Sequence, residues 1–405
     1  MLRILIFILA AVLAPTAFGQ VTIKIGVVGP MAFTIGKHHR AGAEMARDEI
    51  NAAGGIHVGG RRMQIELVVA DTNELQSIPD ATNAVERVIT RDRVDFLVGG
   101  FRSDSVLAMQ EVAMDGKKIF IGAGASTDKL GQNVEEKYER YKYWFRITPS
   151  KNSDLGRQLA ESFTMVAGQI RKDLKKEIPK VAILAEKAAW TEGLIAAAQG
   201  RLLPALKMAV VGVWQPSDRA TDVTAELAAI ERANADIVFT LLSGPVGITV
   251  GRQMGERNMK AVAFGINVEA QKDEFWKAAA GKANFVATLD TYGEGGEMTP
   301  RTLPFVKAFR TRFKETPTYN AGTYDAVYLL KEAIEKAGTI DAERLVPTIE
   351  KLSFIGTSAV IEFDKRHDPV WGLGKLTGVA VQWQDGQKVV FWPPQVKGAR
   401  PFKLP

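Results

Sequence analysis

The sequence predicts an α/β protein built on two parallel sheets wrapped by helices. Short β-rich runs alternate with longer helical patterns along the chain, the arrangement that places helices on the faces of parallel sheets. A second unit of the same kind starts near Asp154. The size agrees: 405 residues, 24% charged and 46% apolar, can bury more than one core without disulfides or structural metals.

At the N-terminus Arg3 precedes an apolar run from Ile4 to Ala14, then Pro15, and Ala17-Phe18-Gly19 places small residues three and one before a cut. The run is shorter than the ~20 apolar residues a membrane span requires. It reads as a secretory signal peptide over 1–19, cleaved near Gly19. The first strand is expected over 21–28, ended by Gly29-Pro30. A helix over 38–53 follows, with Ala43, Ala46, Ile50 and Ala53 on one face and Gly54-Gly55 as its stop. Ile65, Leu67 and Val69 alternate in a second strand. A helix over 81–92, a strand over 94–98, a helix over 103–114 and a strand over 119–121 complete the first unit.

The second unit has strands over 181–184, 210–214, 237–242 and 261–264, between helices over 154–170, 191–203, 221–234 and 246–257. Helical patterns over 303–314, 323–337 and 341–352 come next, and from Ile361 the tail reads as short strands broken by glycine, proline and charge. There is no repeat of solenoid period.

Composition excludes several classes. Cysteine is absent, which removes disulfide frameworks, thiolate zinc sites, iron–sulfur clusters, cysteine nucleophiles and a lipidated N-terminal cysteine. With an export signal and no lipid anchor, the soluble periplasm is the expected compartment. The net charge of +6 is spread thinly, and the densest basic stretch, Arg171 to Glu177, reads as a solvated helix end, so no nucleic-acid partner is expected.

Ligands of open α/β sheets settle outside the carboxyl ends of strands, so the loops leaving each strand are the places to search. The 29–36 loop carries neither a dinucleotide fingerprint nor a phosphate-binding loop, and the turns at Gly99-Gly100 and Gly122-Ala123-Gly124-Ala125-Ser126 also lack them. Each of those two turns does follow a buried strand and brings a hydroxyl, Ser103 or Ser126, to the start of a helical segment. Free backbone N–H groups and the helix dipole make such points receivers for a carboxylate; the plainer alternative is that both serines cap helices. Arg102 beside Ser103 offers a cation or is a surface arginine. His38 and His39 at the first helix read as exposed, and His57 and His367 lie without acidic partners at ligand spacing. Nucleophile-elbow, zinc-protease and β-lactamase motifs are missing, Ser243 lacking the preceding glycine of an elbow. No enzyme activity and no cofactor or metal is expected.

The segments Ile23-Lys24-Ile25-Gly26-Val27-Val28-Gly29-Pro30, Asp48-Glu49-Ile50-Asn51-Ala52-Ala53-Gly54-Gly55-Ile56, Phe145-Arg146-Ile147-Thr148-Pro149-Ser150 and Thr323-Tyr324-Asp325-Ala326-Val327, in this order behind a signal peptide, resemble the type I periplasmic solute-binding proteins of the leucine/isoleucine/valine-binding branch that serve ABC importers. The resemblance covers nearly all of the mature chain. It implies two Rossmann-like doubly wound lobes joined by a three-segment hinge, with crossovers near 146, 294 and 356: lobe 1 from 20–146 plus 295–355, lobe 2 from 147–294 plus 356–405. Ligand would be captured between lobes that close on it, and the partners would be a small solute (an amino acid or carboxylate) and an inner-membrane ABC permease, the protein being a monomer.

Carried over residue by residue, the resemblance makes Ser103 in Gly100-Phe101-Arg102-Ser103 a ligand-carboxylate contact and Gly124-Ala125-Ser126 the backbone-and-hydroxyl segment that completes it, with Arg102 beside them. Trp190, in Trp190-Thr191-Glu192-Gly193-Leu194, and Tyr324 take cleft-side aromatic positions. Three positions depart from the family: Asn267, with Glu269 two residues on, stands where an acid often meets the ligand ammonium, Ser243 replaces a tyrosine and Ile35 another aromatic. Losing the acid weakens the case for a zwitterion, because a buried ammonium without a counter-charge is costly. A branched-chain or other hydrophobic amino acid, an amide and an aromatic or aliphatic carboxylate therefore all stay open. So does a role as ligand-binding partner of a separate sensor, and, least favoured, a secreted enzyme using the same cleft.

Overall fold

The computed structural model describes residues 22–405, and the expected signal peptide and its cleavage point lie outside them. Fifteen strands form among the described residues: β1 Thr22–Gly29, β2 Ile56–Val58, β3 Arg61–Asp71, β4 Phe96–Gly99, β5 Ile119–Gly122, β6 Trp144–Arg146, β7 Lys180–Ala185, β8 Ala209–Trp214, β9 Ile237–Leu242, β10 Val262–Asn267, β11 Ala287–Asp290, β12 Phe354–Ile355, β13 Val360–Ile361, β14 Val379–Gln384 and β15 Gln387–Trp392. One sheet has the order β2-β3-β1-β4-β5-β6, the other β15-β14-β11-β10-β9-β7-β8, and β12-β13 is a small ladder of its own. The expected α/β class and the two doubly wound sheets are present.

Pairing is parallel from β3 through β1, β4 and β5 to β6, and from β8 through β7, β9 and β10 to β11. Helices cover both faces, so central strands such as β4, β5 and β9 are buried at every residue and read as continuous apolar runs rather than alternating ones. In each sheet the winding direction reverses once, between β1 and β4 and between β7 and β9. At such a switch point the connections on either side lead away from each other and leave a crevice at the carboxyl ends.

The first helix, Thr34–Ala52, buries Ala43, Ala46 and Ile50 on one face and ends before Gly54 and Gly55, whose φ values of +97° and +83° a side chain would strain. His38 and His39, expected to be exposed, are buried instead. His39 lies four residues before Ala43 on the same inward stripe, and the helix begins at Thr34, so both histidines fall inside it.

One core belongs to the first sheet and two to the faces of the second. The chain crosses between them three times. It leaves the first sheet at Arg146 and enters the helix Asn152–Leu174; it returns over 291–299, around the expected 294, where Tyr292 is already buried in the first core while Glu294 and Glu297 still bridge Val389 and Lys397 of the second lobe. The helices Thr302–Phe313, Thr323–Ala337 and Ala342–Ile349 pack there. The third crossing differs from the one expected near 356. Ala359 and Ile361 still pack in the first core, Trp371 touches the second and Leu376 the first, and Val379 opens β14 of the second sheet, so the crossing falls within 369–378. The physical reason is aromatic and ionic anchoring of 362–368 to the first lobe: Phe363 and His367 pack on Phe145, with ring centroids 5.0 and 4.1 Å away, and Arg366 pairs with Glu135.

Candidate ligand-binding site

On the first lobe the crevice is bounded by the segments that leave β1, β4 and β5. The β4 and β5 loops touch: a Cβ on Gly124 would lie 2.2 Å from the Gly100 carbonyl oxygen, so only glycine permits the approach. This brings the Ser103 turn beside Ala125 and Ser126. Ser103 is the first residue of the helix Ser103–Asp115, whose N-cap position is Arg102 and carries no side-chain cap. Ser126 precedes the helix Lys129–Glu136, whose N-cap is Asp128. Neither serine is therefore a cap, and both half-buried hydroxyls lack a protein partner among the described residues.

A buried carboxylate that the sequence reading missed organises the β4 loop. Glu74 accepts the amides of Phe101 at 3.0 Å and Arg102 at 2.7 Å and the Thr72 hydroxyl at 2.9 Å. Burial pushes its carboxyl above the ordinary range, against the lowering effect of those three donors. Arg102 is exposed and its guanidinium is held by Asp104 at 2.7 Å and the Leu75 carbonyl at 3.3 Å, so it is not offered freely to an anion. Ile35 is half-buried in the first turn of the helix Thr34–Ala52.

Beneath the β5 loop lie two further residues without a site role in the sequence reading. His39 Nε2 is 3.1 Å from the Ala123 carbonyl, and burial pushes its imidazole down to about 4. Arg146, fully buried, donates from its two terminal nitrogens to the carbonyls of Ala125 and Thr127 and from Nε to Asp368 Oδ1 at 2.7 Å.

On the second lobe the crevice between β7 and β9 holds Trp190, Ser243 and a buried acid, Glu186. One Glu186 oxygen accepts Trp190 Nε1 at 2.7 Å and the Ser243 hydroxyl; the other accepts the amides of Ser243 at 2.7 Å and Gly244 at 2.8 Å. The carboxylate follows β7 directly, so it closes the end of the strand while its four donors fix the β9 loop and the indole. Trp190 remains 38% exposed, with its nitrogen occupied and its ring left to meet an apolar group.

Three expected positions are committed elsewhere. Asn267 is fully buried; its Nδ2 donates to the Gly247 carbonyl at 3.2 Å and its Oδ1 accepts the Ala270 amide at 3.3 Å, stitching β10 to the helix Val246–Glu256. Glu269 is paired with Lys272 at 2.7 Å. Tyr324 packs in the first core against Phe305 and Tyr328, and its hydroxyl donates to Glu49 at 2.6 Å; it belongs to the packing of the helix Thr323–Ala337 on Thr34–Ala52, not to the crevice. Among the described residues no cluster of three metal-ligating side chains occurs, and no helix is long and apolar enough to cross a membrane.

Residues 22–386 match the family described as periplasmic binding protein. A Leu/Ile/Val-binding protein homolog 1 of Brucella suis biovar 1 is 27% identical over 388 residues, 93% of this chain and 95% of that one. Two solved structures share the fold. A branched-chain amino acid transporter substrate-binding protein from Streptococcus pneumoniae, in complex with isoleucine, has a TM-score of 0.73 at 20% identity and covers 95% of this chain and 100% of its own. A solute-binding protein of an R. palustris ABC transporter, in complex with benzoate, has a TM-score of 0.72 at 20% identity, covering 93% and 96%.

Proposed function

From the premise that the chain belongs to the periplasmic binding protein family, we propose that it is the substrate-binding component of an ABC importer, exported by its N-terminal signal and delivering a small solute to an inner-membrane permease. The observation that carries this reading is the pair of half-sites, one at the switch point of each sheet. The first lobe offers the Ser103 and Ser126 hydroxyls on two touching loops, a receiver for a carboxylate; the second offers the Trp190 ring and the Ser243-Gly244 turn on a rigid carboxylate mount. Each lobe holds half of the contacts, so ligand is bound fully only when they close, and binding shifts the population toward the closed form.

The ligand class follows the relatives, a branched-chain or other hydrophobic amino acid. A second reading, a carboxylate without an ammonium group, is favoured by the second lobe's acids: Glu186 already accepts four donors, Glu269 is paired with Lys272, and Asn267 is turned into its own lobe. A buried ammonium with no acceptor costs several kcal/mol.

Thermal-shift screening of the refolded protein separates the two. At ligand concentrations ~100 times the dissociation constant the native state gains ~2.7 kcal/mol, a readable rise in midpoint. A rise with isoleucine or leucine supports the amino-acid reading, a rise with benzoate alone the second. No rise with any small amino acid, amide or carboxylate refutes the receptor reading. Trp190→Ala should weaken binding of the active solute about tenfold while the protein stays folded, its midpoint lowered only by the lost bond to Glu186.

A further inference from the structure

The loop 123–127 is gripped from one side at every second carbonyl. Ala123 O meets His39 Nε2 at 3.1 Å, Ala125 O accepts from Arg146, and Thr127 O accepts from Arg146 at 2.7 Å. The peptide bonds of this loop are trans, the two cis bonds lying at 148–149 and 392–393. In a trans peptide the C=O of one residue and the N–H of the next point in opposite directions. The amides of Gly124 and Ser126 are therefore turned away from His39 and Arg146. Neither donates to a protein acceptor among the described residues, and Gly124 is buried, where an unpaired N–H is rare and costly.

The grip is anchored at the hinge. Arg146 closes β6 at the first crossing and its Nε holds Asp368, itself fully buried, ahead of the third. Lys151, on the far side of the first crossing, lies 3.4 Å from Asp364 and 3.9 Å from Asp368. One planar guanidinium thus ties two carbonyls of the candidate ligand loop to both crossing segments. A lysine could keep the pairing with Asp368, but its single ammonium group cannot reproduce the fork.

We infer that Arg146 is a positioning residue for ligand binding: without touching the ligand, it turns the Ser126 amide toward the ligand carboxylate and locks that loop to the hinge. The inference rests on the proposal that the Ser126 loop receives a carboxylate.

The test compares the full mature chain with its Arg146→Lys variant, using L-isoleucine and benzoate as probes, by titration calorimetry and hydrogen exchange. Arg146→Lys should keep wild-type exchange protection in β1, β3 and β9, lose affinity for the bound probe at least ~tenfold, and lose the probe-induced protection of 123–128. Affinity within twofold of wild type, with that protection intact, overturns the inference. Should Arg146→Lys not fold, residue-resolved exchange in the wild type decides: the probe should slow the Ser126 amide and leave the Thr127 amide, on the Arg146 side, unchanged, and equal behaviour of the two overturns it. If the wild type binds neither probe, the comparison is made with the solute that raises the midpoint in the thermal-shift screen; if that screen finds none, the receptor reading fails and the inference falls with it, an outcome distinct from a failure confined to the variant.

Discussion

Replacing Glu186 by glutamine should loosen the second half-site. The carboxylate accepts four donors, two on each oxygen, at 2.7 to 2.8 Å for the three bonds to Trp190 Nε1 and the amides of Ser243 and Gly244. Glutamine turns one oxygen into an NH2 group, so two donors lose their acceptor and face a third donor. Bonds to a charged group contribute about 1.5–3 kcal/mol each. If the amide group faces Trp190 and the Ser243 hydroxyl, both can turn to water, since Trp190 is 38% exposed and Ser243 is exposed, which keeps the loss near the lower end, about 3 kcal/mol. For a unit of this size that lowers the unfolding midpoint by roughly 6–12 °C. Urea unfolding followed by circular dichroism gives the stability, and tryptophan emission reports the freed indole. A stability loss under about 1 kcal/mol with unchanged emission would show that the carboxylate does not hold the Trp190 and Ser243 loops together.

Tyr324→Phe should lower stability by about 1–2 kcal/mol, through the lost bond to Glu49, and leave solute affinity unchanged; calorimetry showing weaker binding would return Tyr324 to the crevice. Burial raises the Asp325 carboxyl to about 6 from its ordinary 3.8. The native state then binds this proton more tightly than the unfolded one, so the group's contribution is full at acid pH and is lost as pH rises through 6, about 3 kcal/mol in all. Asp325→Asn, which keeps an acceptor for the Thr357 amide and hydroxyl, should gain on the wild type by that amount between pH 4 and 7 in urea titrations; a pH-independent difference refutes it. His39 works the other way. Its imidazole is pushed down to about 4 from 6.5, so its contribution is full above pH 6.5 and is lost as pH falls toward 4, and His39→Gln should remove an acid-side loss of about 3 kcal/mol in the same measurement.

The two parallel sheets and the turns that leave their strands were largely legible because buried parallel strands announce themselves as apolar runs bounded by glycine. The residues that mount those loops were not. Glu186, directly after Leu184-Ala185 and four residues before Trp190, looks in sequence like an acid where a strand meets solvent; only the neighbouring β9, remote in the chain, reveals why it is buried. An acid at a strand's end, with an indole one helical turn on, is the signal that could have found it. Arg146 was visible in a motif without a role, since its partners Ala125 and Asp368 lie 21 and 222 residues away. His39 was readable in hindsight from its spacing to Ala43, Ala46 and Ile50, whereas the choice between crevice and core for Tyr324 depends on which helix carries Glu49, and periodicity does not state that.

The threefold crossing also governs the order in which this chain can fold. The first sheet is complete at Arg146, yet its core also needs the helices between Thr302 and Ile349; β11 gains its outer neighbour only when β14 and β15 arrive, and β15 ends at Trp392. During synthesis from the N-terminus none of the three cores can close until nearly the whole polypeptide exists, and such distant pairings form slowly. A chain shortened by its last thirty residues would lose β14 and β15 and leave β11 with an unpaired edge, so the damage from a C-terminal truncation should surface as aggregation during synthesis.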